Sequence, residues 1–152
     1  MTPRQFSRKV RKLAEEFHSN ASRLPARVAL TFVSVVAPAT PIDTGKAQGN
    51  WQVGIGKPLL RQIHNPARFG ADQAILWADH KLFNYKGNAN IHVTNNLPYI
   101  GALDRGHSKQ APLGFIDMAY DATLKEINKV RFFKTAGDKL RLTYTEQAHT
   151  YD

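Results

Sequence analysis

The chain has no cysteine. That excludes disulfides, iron–sulfur clusters, thiol catalysis and every zinc site built on thiolates, and it accords with a reducing compartment. A long hydrophobic run is missing too. The most apolar stretch, Val28 to Pro38 (VALTFVSVVAP), falls well short of the ~20 residues that span a bilayer. The N-terminus, MTPRQFSRKV, is charged and has no apolar signal core after it. The expectation is a soluble chain, intracellular at synthesis, with no membrane partner. Internal repeats and low-complexity tracts are also lacking.

Acidic residues are in deficit. Twelve Asp and Glu face 21 Lys and Arg, a net charge of +9. The surplus sits in two segments. Residues 1–27 hold seven basic residues against Glu15 and Glu16, and residues 122–141 hold six against Glu126 and Asp138, while the remainder balances. A charge pattern of this kind attracts polyanions, so a small basic nucleic-acid-binding protein is one reading. Two solvated helix faces that keep the protein soluble are the other. With 152 residues and 42% hydrophobic content, the chain is long enough for one domain with a real core.

Hydrophobic spacing divides that domain, 1–152, into four parts. Residues 2–37 read as a long N-terminal helix. Thr2 and Gln5 form a capping box, Pro3 suits the first helical position, and Phe6, Val10, Leu13, Phe17, Ala21 and Leu24 recur every three or four residues as a stripe that should dock. Arg4, Arg8, Arg11 and Lys12 project from roughly the opposite side. Pro25 should kink or break this helix, and Pro38 should follow its end near Ala37. Residues 38–112 form a strand-and-loop region. In it Asp43-Thr44-Gly45 is turn chemistry, with a carboxylate able to accept backbone N–H bonds and a glycine free to take positive φ. Trp51, Val53 and Ile55 alternate with polar or small residues as a strand with one buried face. Ile91 to Thr94 reads as a second strand, Asp72 to Leu82 as a short helix between them, 57–70 as a long loop and Tyr99–Leu103 as a single helical turn. A C-terminal helix is expected over about 112–133, then a polar tail, 134–152, with weak alternation at Leu140, Leu142 and Tyr144. Helices and strands are segregated, which predicts α+β: a long N-terminal helix, a small antiparallel sheet from the central strands, and a C-terminal helix packed on it.

No pattern for catalysis stands out. The six histidines form no His-x-x-x-His pair. His80, with Asp79 beside it, and His92 are spaced like scattered surface residues more than like metal ligands. His64-Asn65 lacks the second histidine of a nuclease site. His107-Ser108-Lys109 sets a base, a hydroxyl and an amine side by side, but neighbours on one loop rarely converge on one substrate atom, and no Gly-x-Ser-x-Gly surrounds them. Gly54-Ile55-Gly56-Lys57 lacks the spacer and the Ser/Thr of a P-loop. Asp104 and Asp117 are isolated carboxylates. Trp51 and Tyr99 read as core anchors rather than base-stacking platforms. The chain is therefore expected not to be an enzyme, with neither cofactor nor metal.

Two blocks carry a family resemblance. Pro41-Ile42-Asp43-Thr44-Gly45-Lys46-Ala47-Gln48-Gly49-Asn50-Trp51 resembles the P-[VI]-D-T-G-R-x-R-x-x-W signature of the neck proteins of long-tailed bacteriophages, the tail-completion or head–tail joining family. Asn95-Asn96-Leu97-Pro98-Tyr99, then Leu103-Asp104, then Gly106-His107-Ser108-Lys109-Gln110-Ala111-Pro112, is similar to that family's second block. Lys46 stands in place of the usual Arg, Asp104 in place of Glu, and Arg105 where an aromatic is common. The likeness covers residues 38–125.

The resemblance implies a non-enzymatic virion protein that forms a ring, a hexamer, at the head–tail interface. It implies assembly in the host cytoplasm. The implied partners are further copies of the chain, the tail tube or tail terminator, and the head connector or adaptor, with DNA passing through the lumen without sequence-specific binding. A ring needs one patch to meet a different patch on its neighbour. The contact candidates are Asp43, Thr44 and Gly45 in one loop and His107, Ser108, Lys109 and Gln110 in the other. Arg4, Arg8, Arg11 and Lys12 are candidates for the lumen wall or for an acidic neighbouring ring.

Overall fold

The computed structural model describes residues 2–106 and 113–128. Helix α1 (Pro3–Ala39) starts as its capping box dictates: Gln5 N–H donates to Thr2 Oγ1 at 3.2 Å, and Thr2 N–H donates to Gln5 Oε1 at 2.8 Å. It does not break at Pro25, nor does it stop before Pro38; both prolines lie inside it. An interior proline costs ~3 kcal/mol or more through a lost hydrogen bond and a clash with the preceding turn. Both rings are exposed, so the disrupted turns lie on the solvent side. Between them Ala26, Ala29, Val33, Val36 and Ala37 are all buried. Burying a valine alone is worth roughly 1.5–3 kcal/mol, and this packing outweighs the local penalty. Thr40 closes the helix, its N–H donating to the Val36 and Ala37 carbonyls and its Oγ1 donating to the Val36 carbonyl at 2.7 Å.

At 1.5 Å per residue, α1 is about 55 Å long, yet every buried residue on it lies at or after Ala26. The expected docking of the whole apolar stripe is corrected here. Residues 2–12 are exposed throughout, with Phe6 60% and Val10 47% accessible. The core uses the other half of the helix, where the alanines permit close approach.

Two helices cover that half. Helix α3 (Ala71–Leu82) brings Ala74, Ala78 and Leu82 to it, and α5 (Phe115–Ile127) brings Phe115, Ala119 and Thr123. Arg23 fastens α1 to α3 by donating to the Phe83 and Tyr85 carbonyls at 3.2 and 3.5 Å, just past the end of α3, where a cation also suits the helix dipole. The C-terminal helix thus meets the core principally through α1 rather than lying on the sheet directly.

The sheet is an antiparallel pair, β1 (Gln52–Ile55) and β2 (Ile91–Thr94), in the register Gln52 opposite Thr94 and Ile55 opposite Ile91. Trp51 and Val53 enter the core as the alternation predicts. The other face of β1 was expected to be open, and it is not: Gln52 and Gly54 are also buried. The segment 57–63 folds across them. Gln52 Nε2 donates to the Arg61 carbonyl at 2.6 Å, and Thr94 Oγ1 and Asn96 Nδ2 both donate to the Leu59 carbonyl, at 2.9 and 2.7 Å. A Cβ on Gly54 would collide with the Lys57 carbonyl. The rest of the 57–70 loop is irregular apart from one 3₁₀ turn, Pro66–Arg68, capped by Asn65.

Short helices α2 (Lys46–Gly49) and α4 (Ile100–Asp104) complete the described elements. The result is the expected α+β class: a long N-terminal helix, a two-stranded antiparallel sheet and a C-terminal helix on α1. The loop 107–112, the end of the C-terminal helix beyond 128, the alternation at 140–144 and the tail 134–152 lie outside the described residues. Among the described residues no helix is long and apolar enough to cross a membrane.

Candidate interaction surfaces

The first sequence block folds into a tight corner whose tip and base differ in character. At the tip Ile42, Asp43 and Thr44 are exposed. Thr44 Oγ1 accepts from Lys46 N–H at 3.3 Å. The Asp43 carboxylate, expected to accept backbone N–H bonds, accepts none among the described residues; the threonine hydroxyl takes that place. Gly45 is buried and has φ +82°, and its carbonyl accepts from Gly49 N–H at 2.9 Å and Gly70 N–H at 2.8 Å. A Cβ there would stand 3.0 Å from the Gly70 nitrogen. Gly45 therefore shapes the corner while Asp43 and Thr44 present it.

The base is a buried polar network. Gln48 Nε2 donates to the Thr40 carbonyl at 3.0 Å, and Gln48 Oε1 accepts from Ala71 N–H at 3.2 Å. Trp51 Nε1 donates to Thr40 Oγ1 at 2.9 Å, with its ring edge-on to Phe32. Asn50, with no exposed surface, accepts from Ile63 N–H at 2.7 Å and donates to the Ile63 and Lys46 carbonyls at 3.0 and 2.8 Å. Gly49 lies so close to the 3₁₀ turn that a Cβ would collide with the Arg68 carbonyl. Lys46 Nζ lies 3.2 Å from His64 Nδ1, a bond the lysine donates when the imidazole proton is on Nε2.

The second block meets the first. Asn95 Nδ2 donates to the Ala47 carbonyl at 2.9 Å, tying the start of one motif to the helix of the other. Asp104, read as an isolated carboxylate, caps α5: Oδ1 accepts from Ile116 N–H at 2.9 Å, and its own carbonyl accepts from Gly114 N–H at 2.8 Å. A carboxylate suits the positive end of a helix. Leu97 is buried, but Tyr99, expected in the core, is 42% exposed. Among the described residues Tyr85 is the buried tyrosine, its hydroxyl donating to the Ala89 carbonyl. His107, Ser108, Lys109 and Gln110 lie outside the described residues.

Three further surfaces are exposed. Arg4, Arg8, Arg11 and Lys12 stand in solvent on the bare half of α1, with no ion pair among the described residues. On α3 and at its C-cap, Leu76, Trp77 and Phe83 are exposed, and the Arg68 guanidinium lies 4.2 Å above the Trp77 ring. On α5 and just before it, Met118 and Leu113 are exposed beside Asp117 and Asp121 along a shallow groove that also takes in Ala122 and Lys125. Sequence reading assigned no role to Leu76, Trp77, Phe83, Leu113 or Met118; exposure depends on which face a helix has spare after packing. Among the described residues no three His, Asp or Glu side chains gather as for a metal ion.

No family model, no curated protein and no solved structure matches this chain.

Proposed function

We propose that this chain is a structural protein of a phage head–tail junction, of the tail-completion or head–tail joining kind, acting as a ring subunit rather than as an enzyme. The observation that carries the reading is the pair of sequence blocks that resemble that family, which share one corner of the fold through the Asn95–Ala47 bond. Their buried members hold the corner rigid, and Asp43 and Thr44 project from it. A rigid polar tip on a braced turn suits a protein–protein contact, since its shape is set before binding. In this reading the tip and the 107–110 loop touch neighbouring subunits, the tail tube or terminator, or the head connector, and DNA passes through the lumen. The hexamer is the oligomer expected.

The test is co-sedimentation of the purified chain with isolated tail tubes, with particle mass read in parallel. Binding to tube ends as a multiple of the monomer supports the proposal. The exposed row Arg4, Arg8, Arg11 and Lys12 favours a second reading, a nucleic-acid-binding protein. That reading gains if a stable monomer ignores tubes and binds DNA with a steep salt dependence, log K falling by about 0.9 per phosphate neutralised for each unit of log salt.

A further inference from the structure

The bare half of α1 and the groove on α5 are complementary, and we infer that they are the two halves of one interface between copies of this chain: the N-terminal arm, residues 2–12, of one copy lies in the α5 groove of the next. The inference rests on the ring reading above and supplies its subunit contact.

The arm offers Phe6 and Val10, one helical turn apart and 60% and 47% exposed. By helix geometry Lys9 lies about 60° round the axis from Phe6, with Lys12 farther round on the same flank. The arm holds five basic residues and no acidic one. The groove offers the opposite set. Met118 and Leu113 give it an apolar floor, 44% and 75% exposed, and Asp117 and Asp121 stand one turn apart along its edge with no basic residue between Leu113 and Leu124. Lys125 closes one end. Neither aspartate forms an ion pair among the described residues. Four residues rise about 6 Å on both helices, so Phe6 and Val10 seated over the apolar floor bring Lys9 alongside the two aspartates, while Lys12, about 120° round from Phe6, stands at the outer edge of the contact and adds its charge from farther off.

Charge excludes the arm as its own partner. Two arms laid on each other would set like charges side by side. The chain's own segment 129–141 has five basic residues against one acidic; it repels the arm and is the rival occupant of the groove, which the cross-linking below tells apart. A contact between unlike patches is heterologous, the type that generates a ring when its rotation closes. One helical face of eleven residues covers less than the ~800 Å² per partner of a stable complex, so each contact is weak alone and the closed ring gains by making all of them together. In this arrangement Arg4, Arg8 and Arg11, on the opposite side of the arm, stay in solvent.

The lack of cysteine gives a clean test. Val10→Cys and Met118→Cys chains are mixed under mild oxidation, and the expected product is a disulfide between the two different chains, well in excess of either self-pair. Separately, Lys9→Glu/Lys12→Glu and Asp117→Lys/Asp121→Lys variants are each expected to lose self-association at least tenfold by sedimentation equilibrium, because arm and groove then carry the same sign. An equimolar mixture of the two is expected to recover it, since every arm again faces an opposite groove. Val10→Cys pairing with itself in preference to Met118→Cys overturns the inference, and so does a Met118→Cys/Phe133→Cys chain that closes its own disulfide instead of yielding the mixed product. Wild-type rings untouched by either charge reversal overturn it while leaving the ring reading intact. A wild-type chain that self-associates neither free at high concentration nor on tail tubes overturns both.

Discussion

Asn50 is where the account of the corner is most exposed to refutation. Its side chain is fully buried and satisfies both the N–H and the C=O of Ile63, itself 7% exposed. Asn50→Leu keeps much of the volume and removes all three hydrogen bonds. The Lys46 carbonyl keeps a partner, the Asn50 backbone N–H at 3.1 Å; the two Ile63 groups keep none. Each orphaned buried group costs about 1–3 kcal/mol. The loop cannot swing out freely to reach water, because Gln52, Thr94 and Asn96 hold Leu59 and Arg61. A loss of roughly 3 kcal/mol follows, a large part of the ~5–15 kcal/mol that holds a domain folded. For a chain of this size that is a fall in Tm of about 6–12 °C. Urea unfolding followed by circular dichroism should show a lower midpoint at unchanged slope, while Asn65→Ala, at an exposed cap, should lose about 1 kcal/mol or less. A loss below about 1 kcal/mol for Asn50→Leu would refute the claim that this network braces the corner.

Other substitutions separate buried from exposed roles. Gly49→Ala sets a methyl against the Arg68 carbonyl and is expected to cost at least ~1–3 kcal/mol by the same urea assay, as overpacking does; a neutral result would mean that the 3₁₀ turn moves aside freely. Asp104→Ala removes the acceptor at the start of α5 and should cost about 1 kcal/mol, with faster proteolysis near Gly114 as a second readout. Phe6→Ser with Val10→Ser should leave monomer stability within about 0.5 kcal/mol, because both side chains are exposed; a large loss would place them in a core.

What the sequence made legible follows from how local each signal is. The capping box of α1 and the two strands rest on neighbouring residues and stand where the spacing puts them. The prolines misled because their penalty is local and its compensation is not: Val33 and Val36 outweigh Pro25 only when α3 and α5 arrive from 40 and 80 residues further on. The stripe Phe6–Val10 misled in the converse way. Its periodicity is genuine, but periodicity does not say whether the partner helix lies in the same chain. In the corner, turn chemistry pointed to Asp43 and Gly45. The members that brace it, Gln48, Asn50 and Asn95, are amides whose partners Thr40, Ile63 and Ala47 are joined only by the fold. The family likeness reached the same residues by pattern, with no statement of which face inward.

The central claim is that this chain is a ring component of a phage neck, and location in the particle tests it most directly. Electron cryomicroscopy of the virions whose genome encodes it, with the structured part of the chain fitted to the density, should find copies arranged as a closed ring between capsid and tail tube. Particles that are complete and infectious with no density for the chain at that junction would contradict the account.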